Sequence, residues 1–161
     1  MGPGKFRGGA PFRRDYRFLA EEGILQVRSD RRDFRPYGLY GGGPGKPSMN
    51  YLNPDGENRP LPSKLTMTIR RGDTFRHEVA GAGGWGDPLE RDAALVLRDV
   101  RNGLVSIASA RADYGVVLVA KPLAVDEAAT RVLREGLRCA RNWPHTPASS
   151  REPPGIAMAA E

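Results

Sequence analysis

A chain of 161 residues with 20 glycines and 14 prolines is long enough for one domain with appendages, and too rich in turn formers to be mostly regular structure. Hydrophobic residues at 39% exclude a wholly disordered polypeptide, while aromatic residues at 7% argue against a large self-sufficient core, so a modest fold that completes its burial against a partner is expected. The net charge of +6 comes from basic and acidic residues that alternate, as in Arg13-Arg14-Asp15 and Glu90-Arg91-Asp92, a solvated mixed-charge surface more than a nucleic-acid footprint.

Residues 1 to 11 are glycine- and proline-rich and read as an arm or loop. Phe12 to Ala20 and Ile24 to Arg28 flank Glu21-Glu22-Gly23, which predicts a β-hairpin. Residues 31 to 47 are again loop, with Gly41-Gly42-Gly43-Pro44-Gly45 at their centre. Ser48 to Asn53 is a candidate short strand, and Asn53-Pro54-Asp55-Gly56 is a strong turn signal, since proline presets φ and glycine accepts positive φ. In Leu65 to Arg70 every second residue is apolar, so one face is buried. Gly72-Asp73 then turns the chain, and Phe75, His77 and Val79 alternate with Arg76 and Glu78, which predicts a second hairpin.

After Gly81 to Gly86 the period changes from two to about 3.6. Leu89, Ala93, Val96, Leu97 and Val100 lie on one helical face, with Asp87 and Pro88 at its start and Gly103 past its end. A second helix is expected from the N-cap Ser106 to Asp113, closed by Gly115. Val116 to Ala120 is a brief β-branched run, strand or buried connection. A third helix is predicted from Asp126 to Asn142, with Ala129, Val132, Leu133, Gly136 and Ala140 on one stripe, and the tail from Pro144 to Glu161 reads as disordered. The expected fold is α+β: N-terminal antiparallel hairpins with glycine-rich loops, then two or three C-terminal helices.

The glycine loops invite a test as phosphate cradles. Gly45-Lys46 is followed by Pro47 where a P-loop needs Ser or Thr, and Tyr40 stands where its first glycine belongs. Gly81-Ala82-Gly83-Gly84-Trp85-Gly86 matches G-x-G-x-x-G, but it follows a half-wet strand and no parallel strand with a ribose-binding acid comes after it. A tight bend that only glycine fits, with Trp85 packed on a neighbour, is the better reading; a loop completing a partner's pocket is the other. His77 reads as a satisfied core or interface histidine, and His145 falls in the tail. Cys139 reads as an inert buried thiol, and as the single cysteine it excludes an internal disulfide and fits a reducing compartment. No cluster has metal-ligand spacing and no nucleophile elbow is present, so no residue is assigned a catalytic or metal-binding role. Nothing at the N-terminus looks like a signal peptide, and no stretch approaches the ~20 apolar residues of a membrane span, so a cytoplasmic protein with no membrane contact is expected.

Several segments together carry a more specific signal. Leu39 to Gly45, Leu61-Pro62-Ser63-Lys64, Gly83 to Asp92, Val96 to Ser106 and Ala112 to Leu118 resemble, in the same order, the C-terminal part of the hydantoinase B/oxoprolinase family over about residues 2 to 120. That resemblance implies a hydantoinase B C-terminal-like region at 1–120, a C-terminal helix at 121–143 and a disordered tail at 144–161. Family members are several times longer, so the chain looks like a separately encoded small subunit similar to that of acetophenone carboxylase. The resemblance further implies a hetero-oligomer with hydantoinase A-like and hydantoinase B-like large subunits, an ATP-dependent ketone carboxylase. An ATP-dependent hydantoinase or oxoprolinase, an amide-ring hydrolase, is the alternative. Mg-ATP and bicarbonate are then expected for the complex and none for this chain. Candidate structural-loop or interface residues are Gly41, Gly42, Gly43, Gly81, Gly83, Gly84, Trp85, Gly86, Asp87 and Pro88. A basic RNA-binding protein, from Lys5-Phe6-Arg7-Gly8-Gly9 with Phe12, Tyr16 and Phe18 as stacking candidates, is a further and less favoured alternative.

Overall fold

The computed structural model describes residues 1–140. Six strands come first and three helices second, the α+β order expected, with a short strand pair between the second and third helices. The strands are β1 (Arg13–Arg17), β2 (Glu22–Arg28), β3 (Met49–Leu52), β4 (Arg59–Leu61), β5 (Lys64–Arg70) and β6 (Thr74–Glu78). A 3-10 turn (Pro88–Glu90) leads to helices α1 (Ala93–Arg101) and α2 (Ile107–Tyr114); β7 (Leu118–Ala120), β8 (Leu123–Val125) and α3 (Glu127–Ala140) follow. The predicted tail and the last residues of the predicted third helix lie outside the described residues.

The strands exist where alternation placed them, but both predicted hairpins are corrected by the pairing. β1 pairs with β6 and β2 with β5, all antiparallel, and β3 sits between β6 and β4, giving a four-stranded sheet β1-β6-β3-β4 beside a two-stranded β2-β5. Arg13 faces Glu78 and Arg17 faces Thr74; beyond the gap Glu22 faces Arg70 and Arg28 faces Lys64. The two pairs are therefore one long antiparallel ribbon with a bend in it. At the bend Phe18 to Glu21 oppose Arg71 to Asp73, four residues against three, and bonds from Gly72 N–H to Phe18 O and Arg71 N–H to Glu21 O tie the corners together. Glu21-Glu22-Gly23 and Gly72-Asp73 are thus facing corners of that bend. Turn chemistry says that the chain changes direction, with Gly72 at φ +91°, and leaves open which strands then pair.

One core lies between the sheets, where Leu52, Leu61 and Ile69 are buried and Phe18, Leu25, Leu65, Met67 and Phe75 pack on them. The inward residues of β5 are Leu65, Met67 and Ile69, the alternation read from the sequence. A second core joins Val96, Val105, Ala110, Tyr114 and Val116. Here Ser106 caps α2 by accepting the Ser109 N–H at 3.0 Å, and Gly115 ends it in the left-handed region at φ +61°.

On the helical side the helix predicted from Leu89, the α3 stripe and the burial of Cys139 are corrected. The helix predicted from Leu89 is broken at Arg91-Asp92: Asp87 caps the 3-10 turn, and Asp92 starts α1 afresh by accepting the Ala94 N–H. The run from Val116 is a strand at Leu118–Ala120, one of the two readings expected, and what the sequence did not show is its partner β8, which the proline of Lys121-Pro122 hid from the alternation. The α3 stripe is rotated: Thr130 is the buried residue, while Val132, Gly136 and Ala140 are exposed. The reason is polar anchoring, because the Thr130 hydroxyl accepts the Val117 N–H at 3.0 Å and Arg134 bonds the carbonyls of Tyr114 and Arg91. Cys139 is exposed, not buried, for the same reason. No helix among the described residues is long and apolar enough to cross a membrane.

Candidate functional site

Three glycine-rich segments far apart in sequence, the arm at 1–9, the loop at 36–46 and the bend at 81–86, lie against one another backbone to backbone. Gly2 N–H donates to Ala82 O, Gly43 N–H to Pro3 O, Leu39 N–H to Gly84 O, Gly84 N–H to Gly43 O, and Phe6 and Trp85 exchange a pair of bonds. Side chains would destroy this layer. A Cβ on Gly83 would be driven into the Tyr37 carbonyl and one on Gly84 into that of Pro3, neither of which is the yielding end of a side chain.

The layer brings together the candidate residues that the sequence analysis drew from two separate loops. Gly42 meets the backbone of Gly84 and Trp85, and Gly41, at φ +90°, lies beside Asp87. Gly86 takes φ +74°, and Gly81 approaches Met1. Asp87 accepts the Leu89 N–H at 2.9 Å through Oδ1, and Pro88 occupies the first position of the 3-10 turn. Trp85 stands on the rim with its indole between Phe6 and Tyr40, centroids 5.5 and 5.3 Å away. Phe6 and Tyr40 are both 60% exposed, so the rim presents apolar rings to whatever covers it.

The same geometry decides whether either loop could cradle phosphate, which needs N–H groups free to converge on oxygen. The N–H groups of Gly42, Gly43, Gly45, Gly81, Ala82, Gly84, Trp85 and Gly86 are all donated to backbone carbonyls. Those N–H groups are engaged within the layer.

Behind the layer lies a charged cluster that sequence reasoning missed. Asp99, on α1 and 1% exposed, accepts from Arg91 Nη2 at 2.8 Å and Arg7 Nε at 2.9 Å through one oxygen. Arg91 Nη1 also donates to the Lys5 carbonyl, while its buried Nε has no hydrogen-bond partner. Three segments are thereby joined: the arm, the break before α1 and α1 itself. A signal was present, since Asp99 follows Val96 by three residues and so falls on the buried face of the helix. Burial raises the Tyr114 phenol above its usual range, with the nearby guanidiniums of Arg91 and Arg7 opposing that rise.

His77 is where its alternation placed it, half-buried on β6, with Nδ1 2.7 Å from Asn50 Oδ1 and its ring stacked with Phe75. Asn50, almost fully buried, also donates to Ser29 Oγ at 2.7 Å. This is a satisfied polar cluster within the sheet. Among the described residues no three His, Cys, Asp or Glu side chains converge as a metal site would require. His145 lies outside the described residues.

A model of the hydantoinase B/oxoprolinase family matches residues 1–88. Over 138 residues the chain is 36% identical to the caprolactamase β subunit of Pseudomonas jessenii, covering 83% of this chain and 24% of that one. It is 34% identical to a D-/L-hydantoinase component of a Pseudomonas species, over 72% of this chain and 20% of the relative. The crystal structure of the ATP-dependent caprolactamase of Pseudomonas jessenii superposes with a TM-score of 0.65 at 32% identity, over 83% of this chain and 24% of that one. Nucleotide-free acetone carboxylase gives 0.67 at 23% identity, covering 87% and 23%, a likeness of fold. The chain spans about a quarter of the length of these relatives or less.

Proposed function

This chain belongs to the hydantoinase B/oxoprolinase family, and from that membership we propose that it serves as the C-terminal portion of a β-type subunit in an ATP-dependent complex that opens cyclic amides. The observation that carries the reading is the 36% identity to a caprolactamase β subunit, which runs across 83% of the chain and so includes the layer, the ribbon and the helices. In this role the chain contributes form. The glycine layer fixes a rigid wall, and the exposed rings of Phe6 and Tyr40, packed on either side of the half-buried Trp85, cover a partner surface with it. ATP is handled by a hydantoinase A-like subunit and the remainder of the amide site by a large hydantoinase B-like one. A ketone carboxylase of the acetophenone type, using bicarbonate, is the second reading, favoured by the fold shared with acetone carboxylase.

A native complex purified through a tag on this chain tests the proposal. Larger partner chains and ATP-dependent opening of lactams, hydantoins or 5-oxoproline are expected. Bicarbonate-dependent ATP turnover with ketones would move the assignment to the carboxylase, and a chain that purifies alone and inert would overturn both.

A further inference from the structure

We propose that the outer edge of β1 is a strand-addition site for an extended acidic segment of a partner polypeptide. β1 ends the four-stranded sheet, and all five of its residues are exposed. Which backbone groups point outward follows from the ladder. Val79 N–H bonds Phe12 O and Phe18 N–H bonds Asp73 O, both in the register that sets Arg13 opposite Glu78. Hydrogen-bonded pairs alternate in an antiparallel ladder, so Phe12, Arg14, Tyr16 and Phe18 bond inward to β6. The N–H and C=O groups of Arg13, Asp15 and Arg17 therefore face away from the sheet, a row ready for another strand.

Charge selects the occupant. β1 carries Arg13, Arg14 and Arg17, none of which forms an ion pair among the described residues. Its one acid, Asp15, is held by Arg76 in a two-pronged bond at 2.7 and 2.8 Å. The free charge along the edge is thus wholly positive. Two copies of β1 paired antiparallel about Asp15 would set Arg13 against Arg17, so the arginines that oppose self-pairing favour an acidic strand. The β2–β5 arm of the ribbon continues the same side of the sheet with only two strands, and Ile24 on it is 78% exposed. A two-stranded ribbon gains most from a third.

The test uses the full-length chain with four labelled probes: a peptide of alternating glutamate and valine, the same peptide N-methylated at every second residue, a lysine–valine peptide, and oligouridylate. The acidic peptide should bind, slow amide exchange at Arg13, Asp15 and Arg17, and lose about tenfold or more in affinity when N-methylated. The double variant Arg13→Glu/Arg17→Glu should reverse the preference towards the lysine peptide. Equal binding of the N-methylated peptide would reduce the effect to charge attraction and overturn the proposal. So would tighter binding of oligouridylate, which makes the edge a nucleic-acid surface, or unprotected amides at the three positions.

Discussion

Removing the Asp99 carboxylate should expose how much of the fold hangs on the arm. Asp99→Ala leaves two guanidiniums without their shared acceptor, and breaking a buried charge pair by deleting one partner costs about 3–5 kcal/mol. The two arginines do not contribute equally. Arg7 is 24% exposed and can swing into water, whereas Arg91 is 7% exposed and already has one nitrogen unpartnered, so most of the cost falls on Arg91. Arg7→Met should therefore cost only about 1 kcal/mol. Asp99→Leu/Arg91→Met, which removes both buried charges, should recover most of the loss. Urea unfolding followed by circular dichroism supplies the comparison, and the double-mutant cycle supplies the coupling. An Asp99→Ala chain within about 1 kcal/mol of the parent, or an additive cycle, would refute the reasoning.

Gly84→Val should lower stability by more than about 3 kcal/mol, because backbone must move, whereas Gly136→Ala, in open space on α3, should raise it by about 0.5–1 kcal/mol; melting curves of both check the contrast. In the complex, Gly84→Val should reduce activity in proportion to the assembly lost, and full assembly without turnover would place the bend in the reacting site. Ser106→Ala should cost about 1 kcal/mol by uncapping α2. The Asp73 carboxyl is held below the ordinary carboxylate range by the Asn53 side-chain amide and then by the Arg70 N–H, so its folded value is the lower one. Its contribution is present above the unfolded value and fades as pH falls through the folded value; Asp73→Asn should flatten the acid limb of the stability–pH curve.

Local chemistry was legible in the sequence wherever it acts within a few residues. The caps Ser106 and Gly115 and the alternation of Leu65, Met67 and Ile69 depend on their own neighbours, and each stands where it was read. Pairing was not legible, since Gly72-Asp73 reads the same whether it closes a hairpin or bends a ribbon. The α3 face was misplaced because apolar residues were counted and anchors were not: Thr130 and Arg134 turn the helix by hydrogen bonding, at the expense of exposing Val132. The two glycine loops were each recognisable as crowded, but their contact with one another and with the arm is set by segments some forty residues apart, beyond the reach of any local pattern.

That layer also has a kinetic consequence. Its bonds join residues 2 to 82, 3 to 43 and 6 to 85, so each waits for a long loop to close and the complete layer for two. Beyond the rings of Phe6, Tyr40 and Trp85 the three segments offer little apolar surface to hold a half-made version together, and glycine surrenders more backbone freedom than other residues on ordering. The sheets and the helical cluster bury more apolar side chain than the layer does, so they are expected to condense first and deliver the three segments to one another. Until they do, the chain carries three open backbones capable of pairing with a neighbour, and a nascent chain meeting its partner late would spend longest in that state.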